Sequence, residues 1–295
     1  MNKAKLKCWI EAMRLRTLPV SAAGVITAAG CAIADSTFRL LPVVLCLIFA
    51  TLAQIASNFA NEYYDYVGGL DRKGREGPRR GVTEGDISPK AMLAATYVTL
   101  GTACIIGLTL LTFSGWWLLP VGIAVAIGAV AYSTGPYPLS HHGLGEVAVI
   151  AFFGLVPVCC TYMLQGGQFG LPIAGMALAI GLMGANVLII NNYRDVDDDR
   201  SVGKHTLAVK LGPTAMRLLY LFNSLAAIGL IMTWIGKVNA TGLSVTCGIY
   251  GAGAIAVVVM MGRLKGRQLT PLLGATAMLM LFFSIAWTAL AATNS

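Results

Sequence analysis

The chain has 295 residues, 57% of them hydrophobic and only 12% charged, with a mean hydropathy of +0.74. An ordinary soluble domain carries about a quarter charged residues, so composition excludes that class and points to an all-α protein that crosses a membrane repeatedly. The net charge of +8 then reads as the basic bias of the inner loops. It is not a nucleic-acid footprint, and no nucleic-acid partner is expected.

Residues 3–16 predict a short interfacial helix, with Trp9, Ile10 and Met13 toward lipid and the Lys and Arg side chains toward headgroups. Arg14 and Arg16 read either as juxtamembrane anchors or as a reach toward an anionic substrate, and Arg16 is the candidate contact. Nine apolar segments follow, at 17–34, 39–60, 90–113, 116–133, 146–165, 171–190, 214–235, 241–262 and 270–292. Each is long enough to span about 30 Å of hydrocarbon. The first ends in Ala32-Ile33-Ala34 and mimics a cleavable signal peptide, but it exceeds an h-region of about 7–15 residues and is taken as a span. Nine spans put the termini on opposite sides. With the N-terminus inside, 19 of the 21 Lys and Arg residues and all 13 acids except Asp35 fall on inner segments. The expected location is the bacterial cytoplasmic (inner) membrane, with a cytoplasmic N-terminus and an active site that opens to the cytoplasm.

The second and sixth spans run directly into acidic stretches. Asn61 and Asp65 are four residues apart, as are Asn191, Asp195 and Asp199, so each set lines one helical face, with Asp198 beside it and Asp197 pointing away. The two Asn-x-x-x-Asp patterns lie 130 residues apart, which predicts two related halves, each with one carboxylate cluster. Gly68 and Gly69 predict the end of the first of these helices. Asp65, Asp71, Asp195 and Asp199 converging at an apolar-walled site would repel by roughly several kcal/mol, so they need cations. Without Cys or His at ligand spacing, the metal expected is a hard one such as Mg²⁺, held by carboxylates and substrate phosphates. Charge balance favours a diphosphate whose remaining charge is met by Lys204, Arg200, Arg79 and Arg80. The reaction that fits is ionisation of an allylic carbon–oxygen bond, with Tyr63, Tyr64, Tyr132 or Tyr193 near the developing cation.

The inner loop from Tyr132 to Glu146 carries no Lys or Arg, which predicts specific contacts in place of a solvated face. Tyr132, Tyr137 and Glu146 are the candidate acceptor site. Glu146 opens an apolar helix, where the dipole alone would stabilise it, so a structural and a site role both stand. His141 and His142 read as ordinary loop residues. The seven cysteines show no CxxC pair and read as small packing residues. Spans seven to nine carry almost no polar chemistry and are expected to complete the bundle.

The motifs RLRTLP (14–19), NEYYDYVGGLD (61–71), GPRRG (77–81), GLGE (143–146), and NNYRD followed by GKHTLAVKLG (191–212) resemble the UbiA superfamily of intramembrane prenyltransferases over nearly the whole chain. Within it they are most similar to the branch that prenylates 1,4-dihydroxy-2-naphthoate in menaquinone biosynthesis. The resemblance implies one domain over 1–295 with a nine-helix UbiA-like bundle. Asp65, Asp71, Asp195 and Asp199 would bind diphosphate through Mg²⁺, with Asn61 and Asn191 assisting and Lys204 and Arg79 or Arg80 on the phosphates. Asp198 stands beside Asp199 as an alternative ligand. Asp65, Asp195, Lys204 and Tyr132 are the expected catalytic residues. Asn61, Asn191, Arg79, Arg80, Arg200, Tyr64, Glu146 and Arg16 are the expected substrate contacts. The implied partners are a polyprenyl diphosphate, dihydroxynaphthoate and the lipid bilayer; an oligomer is not required. The alternatives are another aromatic acceptor, such as 4-hydroxybenzoate or homogentisate, and a secondary transporter built from repeated halves.

Overall fold

Proline in the first turn, where its missing N–H is no loss, opens the helices that begin at Leu18, Pro89 and Leu171. The computed structural model describes residues 3–294, and among these 79% are helical with no strands. The helices are α1 (Lys3–Met13), α2 (Leu18–Ala34), α3 (Leu40–Val67), α4 (Gly81–Glu84), α5 (Pro89–Ser114) and α6 (Leu118–Ala131). Then come α7 (Gly145–Val149), a π-helical turn (Ile150–Leu155), α8 (Val156–Leu164), α9 (Leu171–Arg194) and α10 (Val196–Ser201). The chain closes with α11 (Leu207–Ile231), α12 (Ala240–Met261) and α13 (Thr270–Asn294).

An apolar helix stands at each of the nine expected positions. Among the described residues, seven helical segments are long and apolar enough to cross a bilayer, and α1 with α2, bent by 49°, makes an eighth. The 14-residue α6 is roughly 21 Å long at 1.5 Å per residue and does not reach across alone.

The helix that delivers the second Asp motif is the most enclosed. In α9, 72% of the most apolar stretch is buried, against 17% in α5. Each motif-bearing helix packs most extensively on the next long helix, α3 on α5 and α9 on α11, and α13 returns to α2. At that closing seam Trp287 Nε1 donates to the Thr27 carbonyl at 3.2 Å and Thr27 Oγ1 donates to Ser284 Oγ at 2.9 Å. Gly30 makes room, since a Cβ there would come within 2.6 Å of the Trp287 ring. On the other side of α9, backbones touch: a Cβ on Gly154 would lie 2.4 Å from the Gly181 Cα. Gly154 belongs to the π-turn, which is followed by Pro157, a residue with no N–H to continue a regular ladder.

Two expectations change. The N-terminal helix is not simply interfacial: Cys8 and Ala12 are buried, Trp9 meets Phe59 edge-on with centroids 5.6 Å apart, and Met13 packs in the same cluster. Of the three residues expected at lipid, only Ile10 stays exposed. Spans six, seven and nine also share a buried polar network, in which Asn186 donates to Ser224 Oγ (2.9 Å), Asn223 donates to Asn186 Oδ1 (3.1 Å) and Tyr220 pairs with Thr276. It was invisible in sequence because its members are isolated polar residues in long apolar runs. All seven cysteines are free, and most sit within helices, as packing residues do.

Candidate active site

The first motif leaves α3 where expected: the helix ends at Val67 and Gly69 takes a left-handed φ of 68°. The second motif does not continue one helix. The chain breaks at Asp195 between α9 and α10, yet Asp199 N still donates to the Asp195 carbonyl at 2.8 Å, so the i, i+4 relation survives. Asp65, Asp195 and Asp199 therefore line one cavity of about 790 Å³ with Asn61 and Asn191. Asp197 points to solvent and pairs with Arg200 at 3.3 Å.

Asp65, Asp71 and Asp195 are already paired with protein cations. Lys204 Nζ donates to Asp65 Oδ2 at 2.9 Å, and His141 Nε2 lies 3.4 Å from Asp65 Oδ1. Arg194 grips Asp195 with Nε at 2.6 Å and Nη2 at 2.8 Å, and the same Nη2 reaches Asn191 Oδ1 at 2.9 Å. Arg75 spans the two motifs, donating to Asp71 at 2.8 Å and to Asp195 at 3.0 Å. Such charge-assisted, two-pronged contacts are the strong ones. Asp71 itself does not line the cavity. It sits behind Arg75 and Arg80, with Oδ2 lacking a hydrogen-bond partner and 3.5 Å from Arg80 Nε. Burial pushes the Asp71 carboxyl above its ordinary range. Burial likewise pushes Asp199 up to about 6, with Asp195 adding and Lys204 and Arg75 opposing.

Arg14 enters from the break between α1 and α2 in a left-handed conformation, φ 54°, an uncommon state for a non-glycine residue. Two carbonyls flanking that break accept from α3: Asn58 donates to Met13 O at 3.0 Å and Gln54 to Thr17 O at 2.9 Å. So held, Arg14 donates to Asn61 Oδ1, as does Arg80 at 3.1 Å.

Several expected contacts fall elsewhere. Arg200 lies outside the cavity on Asp197. Arg79 reaches the cavity rim, but its guanidinium pairs with Asp86 and lies 3.9 Å from Glu11, while Arg80 turns inward. Tyr64 hydrogen-bonds Tyr97 at 3.1 Å on the outer face of α3 and does not line the cavity. Arg16 is exposed at the rim, and Arg14 takes the inward position. Asp198 turns away from the cavity and Asp199 faces it. Glu146 lies behind the wall, accepting from Asn192 at 2.9 Å, with Oε2 unpartnered. The uncharged inner loop does make specific contacts: Lys210 Nζ donates to the His142 carbonyl and His205 N to the His141 carbonyl.

A second, apolar cavity of about 370 Å³ runs between α3, α5, α6 and α8. Gln54, Ser57, Tyr132, Val149 and Phe153 line both cavities, so they form a collar where a charged head chamber meets an apolar tail chamber.

The chain's residues 23–283 match the model of the UbiA prenyltransferase family. The chain belongs to that family. It is an enzyme that transfers prenyl groups, and the transporter reading falls. It is 38% identical over 227 residues to a 1,4-dihydroxy-2-naphthoate octaprenyltransferase of Haemophilus influenzae, covering 72% of this chain and 71% of the relative. It is 34% identical to the enzyme of that name from Mycobacterium tuberculosis, covering 94% of each chain. Among solved structures, a UbiA homolog from Archaeoglobus fulgidus bound to GPP and Mg²⁺ superposes with a TM-score of 0.69 at 14% identity, over 96% of this chain and 99% of that one. The apolar helices and the family together make the protein an integral membrane protein.

Proposed function

We propose that this protein transfers a polyprenyl chain from its diphosphate to 1,4-dihydroxy-2-naphthoate, releasing diphosphate and CO₂ and giving demethylmenaquinol. The observation that carries this reading is the joining of a cavity bearing both Asp motifs and a ring of cations to an apolar cavity through one collar. The names of the naphthoate-prenylating relatives support the acceptor.

A divalent cation fits the donor set. Asp65, Asp195 and Asp199 face the cavity with the amides of Asn61 and Asn191, and Asp71 Oδ2 is a buried oxygen without a hydrogen-bond partner behind Arg75. No three His, Cys, Asp or Glu side chains among the described residues converge on one ion. A hard cation here would therefore complete its shell with diphosphate oxygens and water, as Mg²⁺ commonly does. Asp65, Asp195 and Asp199 are the cavity carboxylates that would hold it, with Asp71 screened behind Arg75, and it would supply charge neutralisation on the leaving diphosphate. Lys204, Arg75, Arg80 and Arg194 are the cations that would exchange carboxylate partners for phosphate oxygens. Tyr132, at the collar, is the aromatic face next to the allylic carbon. The ring carbon that carried the carboxylate attacks that carbon as the C–O bond breaks, and CO₂ leaves. Glu146, with its free oxygen beside Asn192, is the wall behind the acceptor.

In the membrane, α6 and its flanks would complete a ninth crossing, with the exposed Trp116 and Trp117 as interface anchors on the outer side. The N-terminus and the site would then face the cytoplasm of a bacterial inner membrane, as the inner-segment charges favour.

Purified protein in detergent, given dihydroxynaphthoate and a polyprenyl diphosphate with and without Mg²⁺, tests this by diphosphate release and product mass. The expected result is a prenylated, decarboxylated product that forms only with Mg²⁺. Diphosphate release without that product would move the reading to another aromatic acceptor; no release with any prenyl diphosphate would overturn it.

A further inference from the structure

The segment 72–76 crosses the mouth of the site and is tied down from both sides. From α10, Asp198 accepts Arg72 Nη2 at 2.6 Å and the backbone N–H of Glu76 at 2.7 Å. From the turn before α13, the Arg267 N–H donates to Glu76 Oε2 at 2.9 Å, and Arg267 Nη2 donates to the carbonyls of Gly74 (3.3 Å) and Arg75 (3.0 Å). Gly74, at φ 83°, supplies the left-handed turn that lets both carbonyls face Arg267. Between these ties Arg75 turns inward and joins Asp71 to Asp195. Asp198 does not line the cavity, and both of its side-chain hydrogen bonds act on the segment that delivers Arg75.

We infer that Asp198, with Glu76 and Arg267, forms a latch that positions Arg75 over the two Asp motifs, so that Asp198 is a positioning residue for diphosphate and not a metal ligand. The latch draws on three parts of the chain: the loop after α3, the helix after α9 and the turn between α12 and α13. Without it the loop keeps its charges but loses the orientation that presents Arg75 to a diphosphate. The cost then falls on substrate affinity more than on the chemical step.

The test uses the full chain in detergent and reads kinetics beside trypsin cleavage, since Arg72, Lys73, Arg75, Arg79 and Arg80 are all trypsin sites in this loop. Asp198→Ala should raise KM for the prenyl diphosphate roughly tenfold, with kcat within about threefold. The Mg²⁺ half-saturation should stay unchanged, and nicking within 72–76 should be faster. Asp198→Asn keeps one oxygen for the Glu76 N–H and should fall in between. A higher Mg²⁺ half-saturation with unchanged cleavage would make Asp198 a ligand and overturn the latch, and so would wild-type KM and wild-type cleavage together. If Asp198→Ala does not fold, Glu76→Ala and Arg267→Ala must raise KM and speed cleavage in the same way; wild-type behaviour of both overturns the inference. The inference rests on the diphosphate binding in this cavity. A wild-type protein that neither turns over prenyl diphosphate nor is protected by it from trypsin would defeat that reading, whereas a working wild type beside an unaltered Asp198→Ala would defeat the latch alone.

Discussion

The two Asp motifs share an Asn-x-x-x-Asp lead at a helix end, and each draws one of its cations from the opposite half. Asp65 of the first motif is held by Lys204, which follows the second, and Asp195 of the second is held partly by Arg75, which follows the first. The motifs also differ in backbone: α3 runs through Asp65 and then turns at a glycine, whereas α9 ends at Asp195 and a short helix restarts to carry Asp199. The shared Asn-x-x-x-Asp pattern thus serves an asymmetric site in which each motif is tied to a cation beyond the other.

Several experiments break or sharpen that comparison. The largest effect should be common to both motifs: Asp65→Ala and Asp195→Ala should each lower kcat by at least about 10²–10³-fold while detergent-purified protein stays folded, and chelating Mg²⁺ should silence the wild type until the metal is restored. Next, Arg194→Ala strips the two-pronged partner from buried Asp195 and leaves it only the single contact to Arg75, where breaking a buried pair outright costs about 3–5 kcal/mol. It should lower the thermal midpoint visibly, while Arg75→Ala, with Asp71 and Asp195 both still paired elsewhere, should lower it less and raise KM for the prenyl diphosphate instead. Within each motif the second carboxylate should separate the halves: Asp199→Asn, at a residue facing the cavity, should raise the Mg²⁺ requirement more than Asp71→Asn, behind its arginines. A titration in which Asp71→Asn has the larger effect would reverse the assignment of exposed and screened ligands. At the small end, Arg200→Ala, Arg79→Ala and Tyr64→Phe should leave kcat/KM within about twofold, because their partners lie on the far side of the helices or at the rim.

Much of this was legible from residue order. Long apolar runs fix where helices stand, and the helical placing of Asn61 with Asp65 and of Asp195 with Asp199 put those groups on one cavity. What escaped reading has a common physical cause: the partner is distant in the chain. His141 looked like a loop histidine because the carboxylate it meets is 76 residues away. Arg75 stands in a loop crowded with basic residues, where no spacing rule picks out one. Arg194 is adjacent to Asp195, and adjacent residues on a continuous helix face different ways; only the break at Asp195 brings them together. Arg14 and Arg16 are equivalent in sequence until the backbone at Arg14 turns left-handed.

The seam between α2 and α13 bears on how the protein is made. Thr27 and Ser284 hydrogen-bond across 257 residues of sequence, and Thr270 and Leu273 of α13 form part of the cavity wall. A ribosome delivers these helices to the bilayer one after another, so α2 must wait through the synthesis of every span between them before its partner arrives. During that interval the carboxylates of both motifs face a chamber with one side open. α13 thus completes the binding site, and a chain stalled before Thr270 would hold every Asp of the two motifs and yet have no closed chamber in which to use them.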